Sequence, residues 1–121
     1  MILFVGEKRS NKAIEMGATW QSAQQTENGI LCAKTLFHAL RKASIEPREC
    51  HFANWFEDEA QRETIRNSTM PIVAMGNKVQ HALKQEGISF IPIVHPAARG
   101  AIRKTENYVN HIKEQLCKLN S

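Results

Sequence analysis

Four places in the 121-residue chain set a chemically able side chain directly behind an apolar run: Gly6-Glu7, Asn54, Met75-Gly76-Asn77 and His95-Pro96. A carboxylate such as Glu7 can orient or activate a water as a general base. A side-chain amide such as Asn54 donates and accepts together, which suits the edge of a nucleobase. An imidazole such as His95 can hydrogen-bond developing negative charge or move a proton.

Each position also has a plain reading. Glu7 stands beside Lys8 and Arg9, as a solvated loop acid would. Asparagine is common where strands stop, and a loop histidine is often satisfied where it sits. Gly76, Asn77 and Lys78 form a fair anion seat if a helix starts there. They lack the second glycine and the Lys-Ser/Thr pair of a phosphate loop, so strand-to-helix packing explains them as well.

Charge sharpens the picture. The chain carries a formal net charge of +4, which agrees with a polyanionic partner such as a nucleic acid. Lys8, Arg9 and Lys12 cluster behind the first apolar run, and Arg99, Arg103 and Lys104 behind the last. Trp20 lies in a polar stretch and is free to stack on a base. Trp55 and Phe56 adjoin Asn54 and fit a core equally.

Metal chemistry is not expected. His38, His51, His81 and His111 match no ligand spacing, and Cys32, Cys50 and Cys117 are odd in number and far apart. Neither a disulfide framework nor a thiolate metal site uses such a set. Reduced thiols in a cytoplasmic protein are the simple reading.

The elements that must position these groups follow from pattern. Ile2–Val5 is a short continuous apolar run ended by glycine, as expected of a strand buried on both faces. Cys50–Trp55, Pro71–Met75 and Ile88–Val94 read as three more strands. Ile30–Ala43 is amphipathic at helical spacing through Ile30, Ala33, Leu36, Phe37 and Leu40. Lys12–Met16, Glu57–Asn67 and a segment around Val79, Ala82 and Leu83 read as further helices, the last capped by Gly87. Tyr108, Val109, Ile112, Leu116 and Leu119 stripe a closing helix.

Strand and helix alternate, so right-handed crossovers, a parallel sheet and helices on both faces are expected. Ligands of such sheets bind at the carboxyl ends of the strands. With 42% hydrophobic and 23% charged residues, residues 1–121 read as one globular domain. The opening apolar run is too short for a signal peptide or a membrane span, which predicts a cytoplasmic protein with no membrane partner.

Taken together, the four strand ends resemble a known set. Ile2-Leu3-Phe4-Val5-Gly6-Glu7 resembles the first motif of the uracil-DNA glycosylase superfamily, in its Gly-Glu-x-Pro-Gly branch. Phe52-Ala53-Asn54 looks like that superfamily's second strand end, Ile72-Val73-Ala74-Met75-Gly76 its third strand, and Ile93-Val94-His95-Pro96 its last motif, His-Pro-Ser. Here Lys8-Arg9-Ser10 stands in place of x-Pro-Gly, and Ala97 in place of the serine.

The resemblance implies an α/β fold, three-layer α/β/α with a four-stranded parallel sheet, and a pocket that takes a flipped base. Water would attack the anomeric carbon, and the base would leave as an anion. By position, Glu7 would handle water and His95 the leaving base. Gly6, Trp20 and Asn54 would hold the base. Lys8, Arg9, Gly76, Asn77, Arg99 and Arg103 would hold the nucleic acid, with DNA the expected partner. No organic cofactor or metal is implied, and the sequence specifies no protein partner. Two other functions fit the same fold: a non-catalytic nucleic-acid-binding protein, and a hydrolase or transferase acting on free nucleosides or nucleotides.

Overall fold

A computed structural model describes residues 1–9, 11–17, 19–21, 31–96 and 105–120. Four strands, β1 (Leu3–Gly6), β2 (His51–Asn54), β3 (Ile72–Met75) and β4 (Ile91–Ile93), form a single sheet in the order β2-β1-β3-β4. Every pairing is parallel. The described helices are α1 (Asn11–Met16), α2 (Leu31–Lys42), α3 (Glu59–Arg66), α4 (Asn77–Gln85) and α5 (Thr105–Leu116).

Side chains alternate across a strand, so each face of the sheet needs its own cover. Phe4, Phe52, Val73, Met75 and Ile93 point to one face, where Leu36, Phe37 and Leu40 of α2 and Tyr108, Ile112 and Leu116 of α5 close over them. Leu3, Val5, Ala53, Ile72 and Ala74 point to the other, against Ile65 of α3 and Val79 and Leu83 of α4. The result is a three-layer α/β/α arrangement. β1 and β3 are buried along their whole length, which explains why their sequences are continuous apolar runs rather than alternating ones. Removing a side chain such as Phe4, fully buried, from water contributes roughly 1.5–3 kcal/mol.

Local chemistry sets the boundaries. Asp58 caps α3 by accepting from the Gln61 amide at 2.8 Å. α4 ends on Gly87, whose N–H bonds Lys84, while the next amide, Ile88, bonds the Leu83 carbonyl at 3.0 Å. That cap consumes the Ile88 N–H, so β4 begins only at Ile91, three residues later than the apolar pattern from Ile88 predicts. The closing helix ends at Leu116 and passes into a tighter turn over Cys117–Asn120. Ile30, the first residue of the expected second helix, and Arg99 and Arg103, two of the expected nucleic-acid contacts, lie outside the described residues.

Candidate functional site

Because all four strands run the same way, their carboxyl ends meet on one edge. Gly6 pairs with Asn54 and Met75 with Ile93, and the Gly76 amide donates to the Ile93 carbonyl at 3.0 Å. Glu7, Trp55 and Gly76 follow those pairs directly, and His95 follows Ile93 after Val94. The chain past β1 is tied to the chain past β2 by Trp55 N–H on the Gly6 carbonyl (2.9 Å) and Phe56 N–H on the Glu7 carbonyl (2.8 Å).

Asn54 is the buried polar side chain of this edge, 6% exposed. Its Oδ1 accepts from the Trp20 indole Nε1 at 3.2 Å. An indole N–H only donates, so the carbonyl oxygen must face it, and Nδ2 turns the other way. No hydrogen bond to Nδ2 is made among the described residues, and the indole orients the amide with its N–H groups turned away from the ring.

Gly6 makes this possible. A Cβ at position 6 would sit 2.8 Å from Asn54 Oδ1 and 3.7 Å from Trp20 Nε1. The glycine is needed for the amide to lie over β1, a close approach between side chain and backbone.

Trp20 is not free to stack on a base from a loop. It is buried, its ring stacked on Phe52 (5.0 Å between centroids, 13° between planes) and tilted against Phe37. Its role at the site is the N–H it gives Asn54. The exposed aromatic on this edge is Phe56, whose neighbour Trp55 is core.

The other half of the edge is Gly76, His95 and Glu7. Gly76 has φ +96°, a left-handed conformation that a side chain would strain, and its α-carbon turns toward the His95 ring stem, where a Cβ would lie 3.4 Å from His95 Cβ. Burial pushes the His95 imidazole below its ordinary value of 6.5, and the Glu7 carboxylate pulls it back up. His95 is thus a neutral ring at neutral pH, with the Glu7 carboxylate acting on it.

Two glutamines hold the two halves in place. Gln80 on α4 donates to both the Ala74 carbonyl (3.1 Å) and the Ile93 carbonyl (3.0 Å), bridging β3 to β4 just before their ends. Gln61 on α3 holds the opposite side by accepting from the Asn54 backbone N–H at 2.7 Å. Neither glutamine is signalled by the sequence, because their partners are backbone groups.

Of the expected nucleic-acid contacts, Lys8 and Asn77 are exposed. Arg9 is half-buried and bonded to Glu57 through Nε at 2.9 Å. A shallow hollow of about 170 Å³ opens beside Asn54, lined by Arg9, Trp20, Phe52, Glu57 and Gln61 among others. A larger one of about 530 Å³ lies at the opposite, amino-terminal edge of the strands, between Ile2, Ser44, Pro71 and Leu119. It contains none of the strand-end groups and is not the site.

Among the described residues no cluster of three or more His, Cys, Asp or Glu is placed to hold a metal ion. Burial pushes the Cys50 thiol up to about 11, so it is no nucleophile at neutral pH. No helix among the described residues is long and apolar enough to cross a membrane. No protein-family model matches the chain, and no curated protein matches it.

Proposed function

We propose that the chain hydrolyses the N-glycosidic bond of a non-standard base in DNA, in the manner of the uracil-DNA glycosylase superfamily it resembles. The observation that carries the reading is that the carboxyl edge of one sheet holds Asn54, oriented by Trp20 at the end of β2, and His95, kept neutral by burial and acted on by Glu7, past the end of β4. The base enters with a carbonyl oxygen toward Asn54 Nδ2. The glycosidic C–N bond breaks with its electron pair going to the base, and His95 hydrogen-bonds the charge that develops there. Glu7 orients the water whose oxygen forms the new bond to the anomeric carbon, and that water's proton leaves to solvent. Because Asn54 Oδ1 takes the Trp20 N–H, the amide hydrogens on Nδ2 favour bases with a carbonyl on the read edge over those with an amino group. Phe56 supplies the stacking surface that Trp20 cannot.

A second reading, hydrolysis of a free nucleoside or nucleotide, is favoured by the pairing of Arg9 with Glu57. The ion pair engages Arg9, which weakens the cationic cluster behind β1 as a seat for a nucleic-acid backbone.

One assay separates them. Single- and double-stranded oligonucleotides bearing uracil or a deaminated purine, and free deoxyuridine nucleotides, are incubated with the protein, and abasic sites and released base are measured. The first reading requires release from oligonucleotides, reduced about a hundredfold or more in His95→Ala. Release from free nucleotides alone supports the second. Salt-sensitive binding with no release from any substrate sinks both and leaves a nucleic-acid-binding protein.

A further inference from the structure

Val94 is the last residue before His95, and it faces the unpaired side of β4. Ile93 turns its carbonyl inward to Gly76, so Pro92 and Val94 turn their backbone groups outward. Proline brings no N–H to that open edge. Val94 brings an N–H and a C=O, and α5 meets each with a side chain. The N–H donates to His111 Nε2 at 2.9 Å, and the carbonyl accepts from the Tyr108 hydroxyl at 2.9 Å. The two side chains lie three residues apart on one helix face.

An accepting Nε2 fixes the ring of His111 as neutral, with its proton on Nδ1. Protonation would place a hydrogen on Nε2 against the Val94 N–H, and the bond would break. We propose that Tyr108 and His111 are positioning residues that set His95 through the Val94 backbone, and that protonation of His111 releases this hold. The inference rests on reading His95 as the group that meets the leaving base.

The surroundings keep the ring neutral. Burial is the largest influence and lowers its value below 6.5, Glu114 on the same helix opposes that, and Lys118 in the following turn adds to it. Tyr108 lies beside the ring at 6.1 Å, and Lys113 of the same helix is exposed. From β4, Ile91–Val94 carry no ionisable side chain. From α2, which packs on α5, Lys34, His38, Arg41 and Lys42 are all exposed.

The test is a titration of the ¹⁵N-labelled full chain from about pH 5 to 8, following the Val94 amide and the His95 ring. Val94 is expected to show one step with a midpoint below 6.5, and the His95 ring to move with it as well as on its own titration. His111→Gln keeps an acceptor for Val94 and cannot titrate, so it is expected to remove the Val94 step and leave the neutral-pH signals of His95 in place. Tyr108→Phe is expected to displace the His95 signals at all pH values. If the Val94 step persists in His111→Gln, or neither variant moves the His95 signals, the inference is overturned. Base release, measured alongside, separates the two readings. If Val94 and His95 titrate together while the native protein releases no base, the clamp stands and the hydrolase does not.

Discussion

On the β2 edge of the sheet, the outward backbone groups are met by amides: Gln21 donates to the Phe52 carbonyl at 3.2 Å and Gln61 accepts from the Asn54 N–H at 2.7 Å. On the β4 edge the same task falls to a phenol and an imidazole, Tyr108 and His111 on Val94. An open strand edge must have its polar groups satisfied or covered, and both edges comply. They differ in what pH can do to them. A carboxamide does not titrate near neutrality, whereas an accepting imidazole fails as an acceptor once protonated. The Asn54 side of the sheet edge is anchored independently of pH, and the side that carries His95 is not.

The sharpest way to break the Asn54 side is Gly6→Ala. The new Cβ would stand 2.8 Å from Asn54 Oδ1, forcing the Trp20–Asn54 pair apart, with an expected loss of up to about 3 kcal/mol in denaturant unfolding. Next comes Gln61→Met, which leaves the Asn54 N–H without its acceptor. About 1–2 kcal/mol is expected to be lost, and by the same amount at pH 8 as at pH 6. A pH-dependent loss would dissolve the contrast between the edges. Tyr108→Phe, on the β4 edge, is expected to cost about 1 kcal/mol, also without pH dependence.

The smallest effect is the one that distinguishes the edges. His95 and His111 both have folded-state values below 6.5 because burial disfavours their charged forms. The unfolded chain therefore takes up protons first as pH falls. Stability from the neutral rings is full above 6.5 and is lost as pH falls from there through the lowered values. Thermal unfolding across that window should show a shallower decline in His111→Gln than in the native chain. An identical decline would mean that His111 does not titrate against Val94.

Much of this architecture was legible beforehand, and the reasons are local. Continuous apolar runs ended by Gly6 and Gly76, and an amphipathic repeat over α2, gave the strands, the helices and the parallel sheet. The four strand-end groups did come to one edge, because parallel strands leave them no other. The start of β4 was misread because Ile88 is apolar yet gives its N–H to the cap of α4, a use that hydrophobicity does not encode. Trp20 departs from its expected place for a related reason. Its packing on Phe52 and its bond to Asn54, 34 residues away, are tertiary facts that its polar sequence neighbours hide. Gln61, Gln80 and His111 were invisible because each serves a backbone group, which has no side-chain signature. The engagement of Arg9 by Glu57, 48 residues away, is likewise a tertiary fact.

The bond between Trp20 and Asn54 has an optical consequence. The chain has two tryptophans, and Trp55 lies in the other hydrophobic layer, with the Arg66 guanidinium over its ring. Trp20 alone shares a hydrogen bond with the amide proposed to grip the base. Anything that tugs on that amide alters the dipole facing the indole nitrogen, so the intrinsic ultraviolet emission of Trp20 becomes a label-free gauge of occupancy. A Trp55→Phe background would let that gauge be read without interference.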